Sequence, residues 1–136
     1  KSYRLVGTEL SIEYAAFESG LKRFVHPDKG NFIGRDELME WQNRGFDWQF
    51  VTLEVHDTID ADPLGNNPIF RDGKPVGRAT GGNFGFRLNK SLALGMVRPE
   101  WADIGTELEM DILGTIQKVT VITECPYDPK NERLRA

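Results

Sequence analysis

The sequence predicts a mainly β protein: about six short antiparallel strands that close as a small barrel or sandwich, behind a leading segment of different character. Three observations predict it. From residue 48 onward apolar side chains recur at every second position, the period of a half-buried strand. Turn signals such as Asp72-Gly73 and Leu113-Gly114 divide these runs at short intervals. Residues 1–47, by contrast, hold little alternation.

Taken in order, Phe17 to Leu21 is loop or a short turn of helix, and Phe24-Val25 begins a strand that stops at Pro27. Asp28 to Asn31 is turn chemistry. Residues 35–44 form a helix: Leu38 and Trp41 sit three apart on one face, and Gly45 is a C-terminal stop. It is short, so it depends on tertiary packing. Val51, Leu53 and Val55 define the inner face of the first strand, with Thr52, Glu54 and His56 opposite. Residues 57–67 are a polar loop. Pro68 to Arg71 and Pro75 to Thr80 pair through the Asp72-Gly73 turn, and Gly81 to Phe86 is a glycine-rich bend. Ser91 to Val97 is a strand of small residues that passes close to another backbone, and Arg98 to Asp103 is one helical turn. Glu107 to Ile112 and Ile116 to Ile122 pair through Leu113-Gly114, with Val119 and Val121 inward. The tail from Glu124 is polar and lies along the surface. Closure is expected because it removes exposed strand edges.

Composition narrows the function. The 136 residues suffice for one sizeable core. Seventeen basic against 21 acidic residues give a net charge of −4, without the basic footprint of a nucleic-acid binder. No apolar run approaches the roughly 20 residues of a membrane helix. The lone Cys125 excludes an intrachain disulfide, and a cytoplasmic setting is expected. Two histidines, His26 and His56, and one cysteine are too few for a structural zinc site, and no metal ligands are assigned. The chain opens at Lys1 with neither an initiator Met nor a signal sequence, which suggests a fragment or a processed product.

Few residues stand out as chemistry. Gly77 to Gly85 lacks the Gly-Lys-Ser/Thr ending of a phosphate loop, and a barrel corner explains its glycines better. Cys125 has no cationic sequence neighbour to favour a thiolate. Glu18 and Lys29 are the polar candidates. Glu18 follows Ala15-Ala16-Phe17, and facing a cleft it would accept paired N–H donors from an aminopyrimidine-type ring; an exposed glutamate is the commoner outcome. Tyr3, Phe17 and Phe24 offer either a stacking wall or core packing. No catalytic set of Ser, His and Asp, or of paired carboxylates, is present in the pattern.

The chain also resembles a known family nearly end to end. Leu5-Val6-Gly7-Thr8-Glu9-Leu10 is similar to the Leu-Tyr-Gly-x-Asp/Glu-Leu segment of the glycine-cleavage T protein (aminomethyltransferase) superfamily. Phe17-Glu18-Ser19-Gly20-Leu21 resembles its Val/Leu-Glu-Ala-Gly-Leu, and Asp28 to Leu38 its Lys-Gly-Asp-Phe-Ile-Gly-Arg-Glu-Ala-Leu. Val76 to Gly82, Leu88 to Val97 and Gly105 to Leu108 follow in the family's order. Ser11 to Tyr14 and the ending Cys125 to Leu134 look most like the dimethylglycine and sarcosine dehydrogenase branch.

The resemblance implies a six-stranded Greek-key-type barrel preceded by the α+β tail of a folate-binding domain. Residues 1–47 would be that tail, and residues 48–136 the barrel domain with its polar tail. It implies tetrahydrofolate as acceptor of a one-carbon unit, with FAD only in an absent upstream domain. The family's catalytic aspartate and ring-holding glutamate would precede Lys1, so the piece alone is expected to be inactive and its partners are the upstream domains and folate. Lys29 aligns near a basic folate-site residue, and Glu18 and Tyr3 complete the expected cofactor contacts. An arginine that T proteins often carry before the second barrel strand is replaced by Asp62-Pro63-Leu64-Gly65. The alternatives are a non-catalytic barrel interaction module, or part of a standalone folate-dependent demethylase.

Overall fold

A computed structural model describes residues 1–57, 60–133 and 135–136. Six strands, β1 (Gln49–Val55), β2 (Pro68–Arg71), β3 (Lys74–Gly85), β4 (Lys90–Val97), β5 (Glu107–Ile112) and β6 (Thr115–Ile122), follow one helix, α1 (Arg35–Arg44). They form a closed antiparallel barrel in the order β1-β4-β3-β2-β5-β6. The long β1–β2 connection carries the chain across the barrel, and the hairpins β2–β3–β4 bring it back beside β1, the Greek-key path. Residues 58 and 59 of that connection, expected as polar loop, lie outside the described residues.

The alternation works as expected. Val51, Leu53 and Val55 meet Ile69, Met110, Ile112 and Val119 in one apolar interior. Asp72 and Gly73 both adopt positive φ, 50° and 73°, the geometry a two-residue hairpin turn needs. Leu113 and Gly114 repeat it at 52° and 83° between β5 and β6.

Three elements differ from expectation. Phe24-Val25 is not strand: Lys22–Phe24 is a 3₁₀ turn, with no neighbouring strand to pair with before Pro27. The glycine-rich stretch does not bend. β3 runs on to Gly85, pairing with β4 as far as Lys90, and its irregularity is a bulge between Ala79 and Gly81. Gly82 serves close approach instead: a Cβ there would stand 2.7 Å from the Leu92 carbonyl oxygen and 2.7 Å from Pro63 Cβ. The chain reverses one turn later, at residues 86–89. The tail is not simply laid on the surface. Cys125 to Asp128 are half-buried, and the Glu124 carbonyl accepts from the buried Thr52 hydroxyl at 2.7 Å.

Some polar groups inside the barrel wall are partnered, while the buried Ser91 hydroxyl on β4 has no partner among the described residues. Gln117, on the inner face with Val119 and Val121, has its amide nitrogen 3.0 Å from the His56 carbonyl oxygen and 3.1 Å from that of Asp57. The leading segment packs less completely. Its β content is one isolated bridge between Val6 and Leu10, and no side chain of α1 is fully buried.

Candidate functional site

The leading segment holds two buried carboxylates; one of them, Glu18, joins it to the barrel together with the guanidiniums of Arg4 and Arg78. Glu18 is fully buried. Its Oε2 accepts the Ala15 N–H at 2.8 Å, and its Oε1 accepts those of Asp47 and Trp48, both at 3.0 Å. Its carbonyl accepts the Phe50 N–H at 2.8 Å. Glu18 thus spans from the turn at residue 15 to the first residues of β1. The sequence expectation of a side chain facing a cleft is corrected here: the paired N–H donors it accepts are those of its own backbone.

Glu9 is the second carboxylate. It is 2% exposed and accepts the Leu5 N–H at 2.9 Å and the Thr8 hydroxyl at 2.7 Å. Burial alone would raise its pKa, but hydrogen bonds such as those from the Leu5 N–H and the Thr8 hydroxyl outweigh burial and hold it below the ordinary value. The Ser19 hydroxyl donates to its carbonyl at 2.6 Å, joining the two carboxylate turns.

Arg4 supplies the first guanidinium. Its Nε donates to the Ser19 carbonyl at 2.8 Å and its Nη1 to the Ser2 carbonyl at 2.9 Å. The same Nη1 pairs with Glu124 at 2.7 Å, and the group lies 3.9 Å from the Phe50 ring centroid. Gly20, at φ +70°, leaves the room that this guanidinium fills. On the far side Arg78 donates to the Tyr14 hydroxyl at 2.8 Å and pairs with Glu13.

These ties leave a groove of about 290 Å³ between residues 1–4, residues 21–24 and the tail. Tyr3 and Phe24 line it, 70% and 63% exposed, far more than core aromatics tolerate. Lys1, Arg4 and Arg23 line it as cations. Aromatic faces beside cations suit a flat, electron-rich ring that carries carboxylates. The three aromatics named from sequence divide accordingly. Tyr3 and Phe24 stand at the groove, while Phe17 is core, edge-on to Phe46 at 5.8 Å.

Lys29 sits apart, exposed on the 3₁₀ turn Pro27–Lys29, its Nζ 4.9 Å from the Phe32 ring centroid. The structure does not bring Glu18, Lys29 and Tyr3 to one pocket: Tyr3 lines the groove, Lys29 is outside its lining, and Glu18 lies beneath the surface. Arg4 and Arg23 were missed from sequence, because the partner that fixes Arg4, Glu124, is 120 residues away. His56 bonds the Thr120 hydroxyl at 2.7 Å, and the Cys125 thiol donates to the Tyr127 carbonyl at 3.3 Å. Among the described residues no group of three or more His, Cys, Asp or Glu is placed to hold a metal ion. No helix among them is long and apolar enough to cross a membrane.

A closed six-stranded Greek-key barrel with an aromatic and cationic groove against its flank defines a class of small β-barrel domain. The chain belongs to the family described as glycine cleavage T-protein C-terminal barrel domain, which it matches over residues 49–128. It is similar to dimethylglycine dehydrogenase, mitochondrial, of Mus musculus, 34% identical over 125 residues that are 91% of this chain and 14% of that protein. It is similar to an aminomethyltransferase of Desulfitobacterium hafniense (strain DSM 10664 / DCB-2), 36% identical over 90% of this chain and 33% of that protein. The crystal structure of glycine cleavage system aminomethyltransferase T from Bartonella henselae matches its fold with a TM-score of 0.76 at 22% identity, over 86% of this chain and 33% of that one. The chain therefore spans one third or less of the length of these relatives.

Proposed function

We propose that this chain forms the C-terminal part of a tetrahydrofolate-dependent one-carbon transferase of the dimethylglycine/sarcosine dehydrogenase type. The whole protein passes a one-carbon unit from a methylated amine to tetrahydrofolate, yielding 5,10-methylenetetrahydrofolate. Residues 1–47 are the tail of the folate-binding domain and residues 48–136 the barrel that covers it. FAD belongs to an upstream domain. A cytoplasmic setting is part of this proposal, supported by a single cysteine, Cys125, that has no intrachain partner for a disulfide.

The observation that carries this reading is the groove: two exposed aromatic rings, Tyr3 and Phe24, beside Arg23, which has no ion-pair partner among the described residues, on a barrel of the T-protein family. The leading segment supports it. Leu5, Val6, Ile12 and Ile33 are 65–105% exposed, an apolar surface of the kind a preceding domain covers. In this proposal Tyr3 and Lys29 contact folate, and Glu18 positions the segment that carries them without touching the ligand. The barrel supplies no catalytic residue of its own.

The test uses the polypeptide that carries this sequence, supplied with dimethylglycine or sarcosine, with and without tetrahydrofolate. The expected result is 5,10-methylenetetrahydrofolate in place of free formaldehyde. A product mixture indifferent to tetrahydrofolate overturns the reading and leaves the barrel as an interaction module.

A further inference from the structure

A second hollow, of about 220 Å³, lies where residues 7–13 of the leading segment meet the β1–β2 connection and β3. It shares no lining residue with the groove. Apart from glycine and alanine its wall is Thr8, Glu13, Asn66, Arg78 and Thr80, so it offers polar contacts and no apolar ones of any size.

Arg78 is the cation of that wall, and it is held by one edge. A guanidinium presents its N–H donors in a rigid plane. Nε gives its proton to the Tyr14 hydroxyl at 2.8 Å, and Nη2 gives one to Glu13 Oε2. These two atoms share one edge of the plane. The adjoining edge, Nη1 with the second N–H of Nη2, has no acceptor among the described residues. The side chain is therefore oriented before any ligand arrives, with a two-pronged fork left over.

The acidic side of the hollow is also half used. Glu13 commits Oε2 to Arg78, while its Oε1 accepts no hydrogen bond among the described residues. Behind Thr8 stands further negative charge, since its hydroxyl donates to the buried Glu9 at 2.7 Å. Two neutral groups complete the wall. The Thr80 hydroxyl oxygen is buried and makes no hydrogen bond among the described residues. Asn66, at φ 70°, donates its N–H to the Ala79 carbonyl at 2.8 Å, which keeps its exposed amide at the rim.

A free fork recognises a carboxylate through paired N–H donors, and a free carboxylate oxygen recognises a cationic nitrogen. Side by side, they repel half of every simple ion: a bare anion meets Glu13, and a bare cation meets Arg78. A molecule carrying both charges one carbon apart satisfies both. We propose that this hollow binds a small zwitterionic α-amino acid, its carboxylate on the free edge of Arg78 and its nitrogen toward Glu13 Oε1. That this amino acid is the methylated amine or its demethylated product rests on the function proposed above; the zwitterion site itself does not.

The probe is sarcosine, titrated into the 136-residue chain at low salt while NMR follows the Arg78 Nε–Hε signal. A saturable shift is expected. Acetate and dimethylamine, each with one of the two charges, should bind about tenfold more weakly. Glu13→Gln keeps an oxygen for Arg78 and loses the charge, so it should weaken sarcosine about tenfold and leave acetate bound at least as well. Arg78→Lys, which keeps the charge and loses the fork, should weaken sarcosine and acetate alike; Tm is followed for both variants, and Glu13→Gln carries the test if the lysine variant unfolds. An Arg78 signal unmoved by sarcosine, or equal sarcosine affinity in Glu13→Gln, overturns the site.

A second arm uses the polypeptide that carries this sequence, supplied with sarcosine and tetrahydrofolate. A several-fold higher ratio of free formaldehyde to 5,10-methylenetetrahydrofolate in Glu13→Gln supports both proposals. An unchanged ratio overturns the assignment of the hollow to the methylated amine and leaves the folate reading standing. No tetrahydrofolate-dependent product in either protein, with the Arg78 shift intact, overturns the folate reading and leaves the zwitterion site.

Discussion

Replacing Glu18 tests the claim that this carboxylate joins the leading segment to the barrel. Three backbone N–H groups converge on it, from Ala15, Asp47 and Trp48, and only the bond to Ala15 is wholly buried. A bond to a charged acceptor contributes about 2 kcal/mol where water cannot replace it, and about 1 kcal/mol where it can. Glu18→Ala should therefore cost about 4 kcal/mol, a large share of the roughly 5–15 kcal/mol that holds a domain together. Glu18→Gln keeps one oxygen for Asp47 and Trp48 but turns an NH2 toward the Ala15 N–H, so it should cost about 2 kcal/mol. Urea unfolding followed by tryptophan fluorescence measures both, with Trp48 as a reporter beside the site. Its amide should also lose hydrogen-exchange protection in the alanine variant. A cost below about 1 kcal/mol for Glu18→Ala, with Trp48 protection intact, would refute the assignment of Glu18 as the tie.

Other outcomes follow from the same contacts. Glu9 has a folded-state pKa below its unfolded one, so the unfolded chain binds the proton first as pH falls. Its contribution is complete above the ordinary value of 4.5 and is lost as pH drops through the lowered one, and Glu9→Gln should flatten that acid limb in a pH series of urea midpoints. Gly82→Ala drives a methyl into the Leu92 carbonyl and Pro63, and thermal unfolding should register about 2 kcal/mol lost. Gly73→Ala, at φ 73°, should cost about 1 kcal/mol in the same measurement. Lys29→Ala should weaken tetrahydrofolate binding several-fold by calorimetry; an unchanged affinity removes Lys29 from the site.

The barrel was legible because its signals are local. Period-two alternation in β1 and β5, and the turn pairs Asp72-Gly73 and Leu113-Gly114, need no knowledge of the partner strand. β3 was misjudged because Gly82, a turn former in isolation, is required by β4 and Pro63 coming close, while Gly81 marks the bulge. The groove was barely legible. Tyr3 and Phe24 were named, but whether an aromatic is core or wall depends on what packs over it, and the packing is set by long-range ties such as Arg4 to Glu124. Glu18 was singled out by its apolar neighbours, a cue that detected burial and gave no hint of which donors would be met there.

Closure of the barrel has a consequence for synthesis. β1 is bordered by β4 and by β6, and β5 reaches β1 only through β6. A nascent chain halted before Thr115 thus displays two unzipped margins, those of β1 and β5, each with free amides and carbonyls ready to capture a stranger. The ribosome must deliver the final hairpin before that hazard ends, so premature stop codons upstream of β6 should yield insoluble product, and stops shortly beyond Ile122 should not.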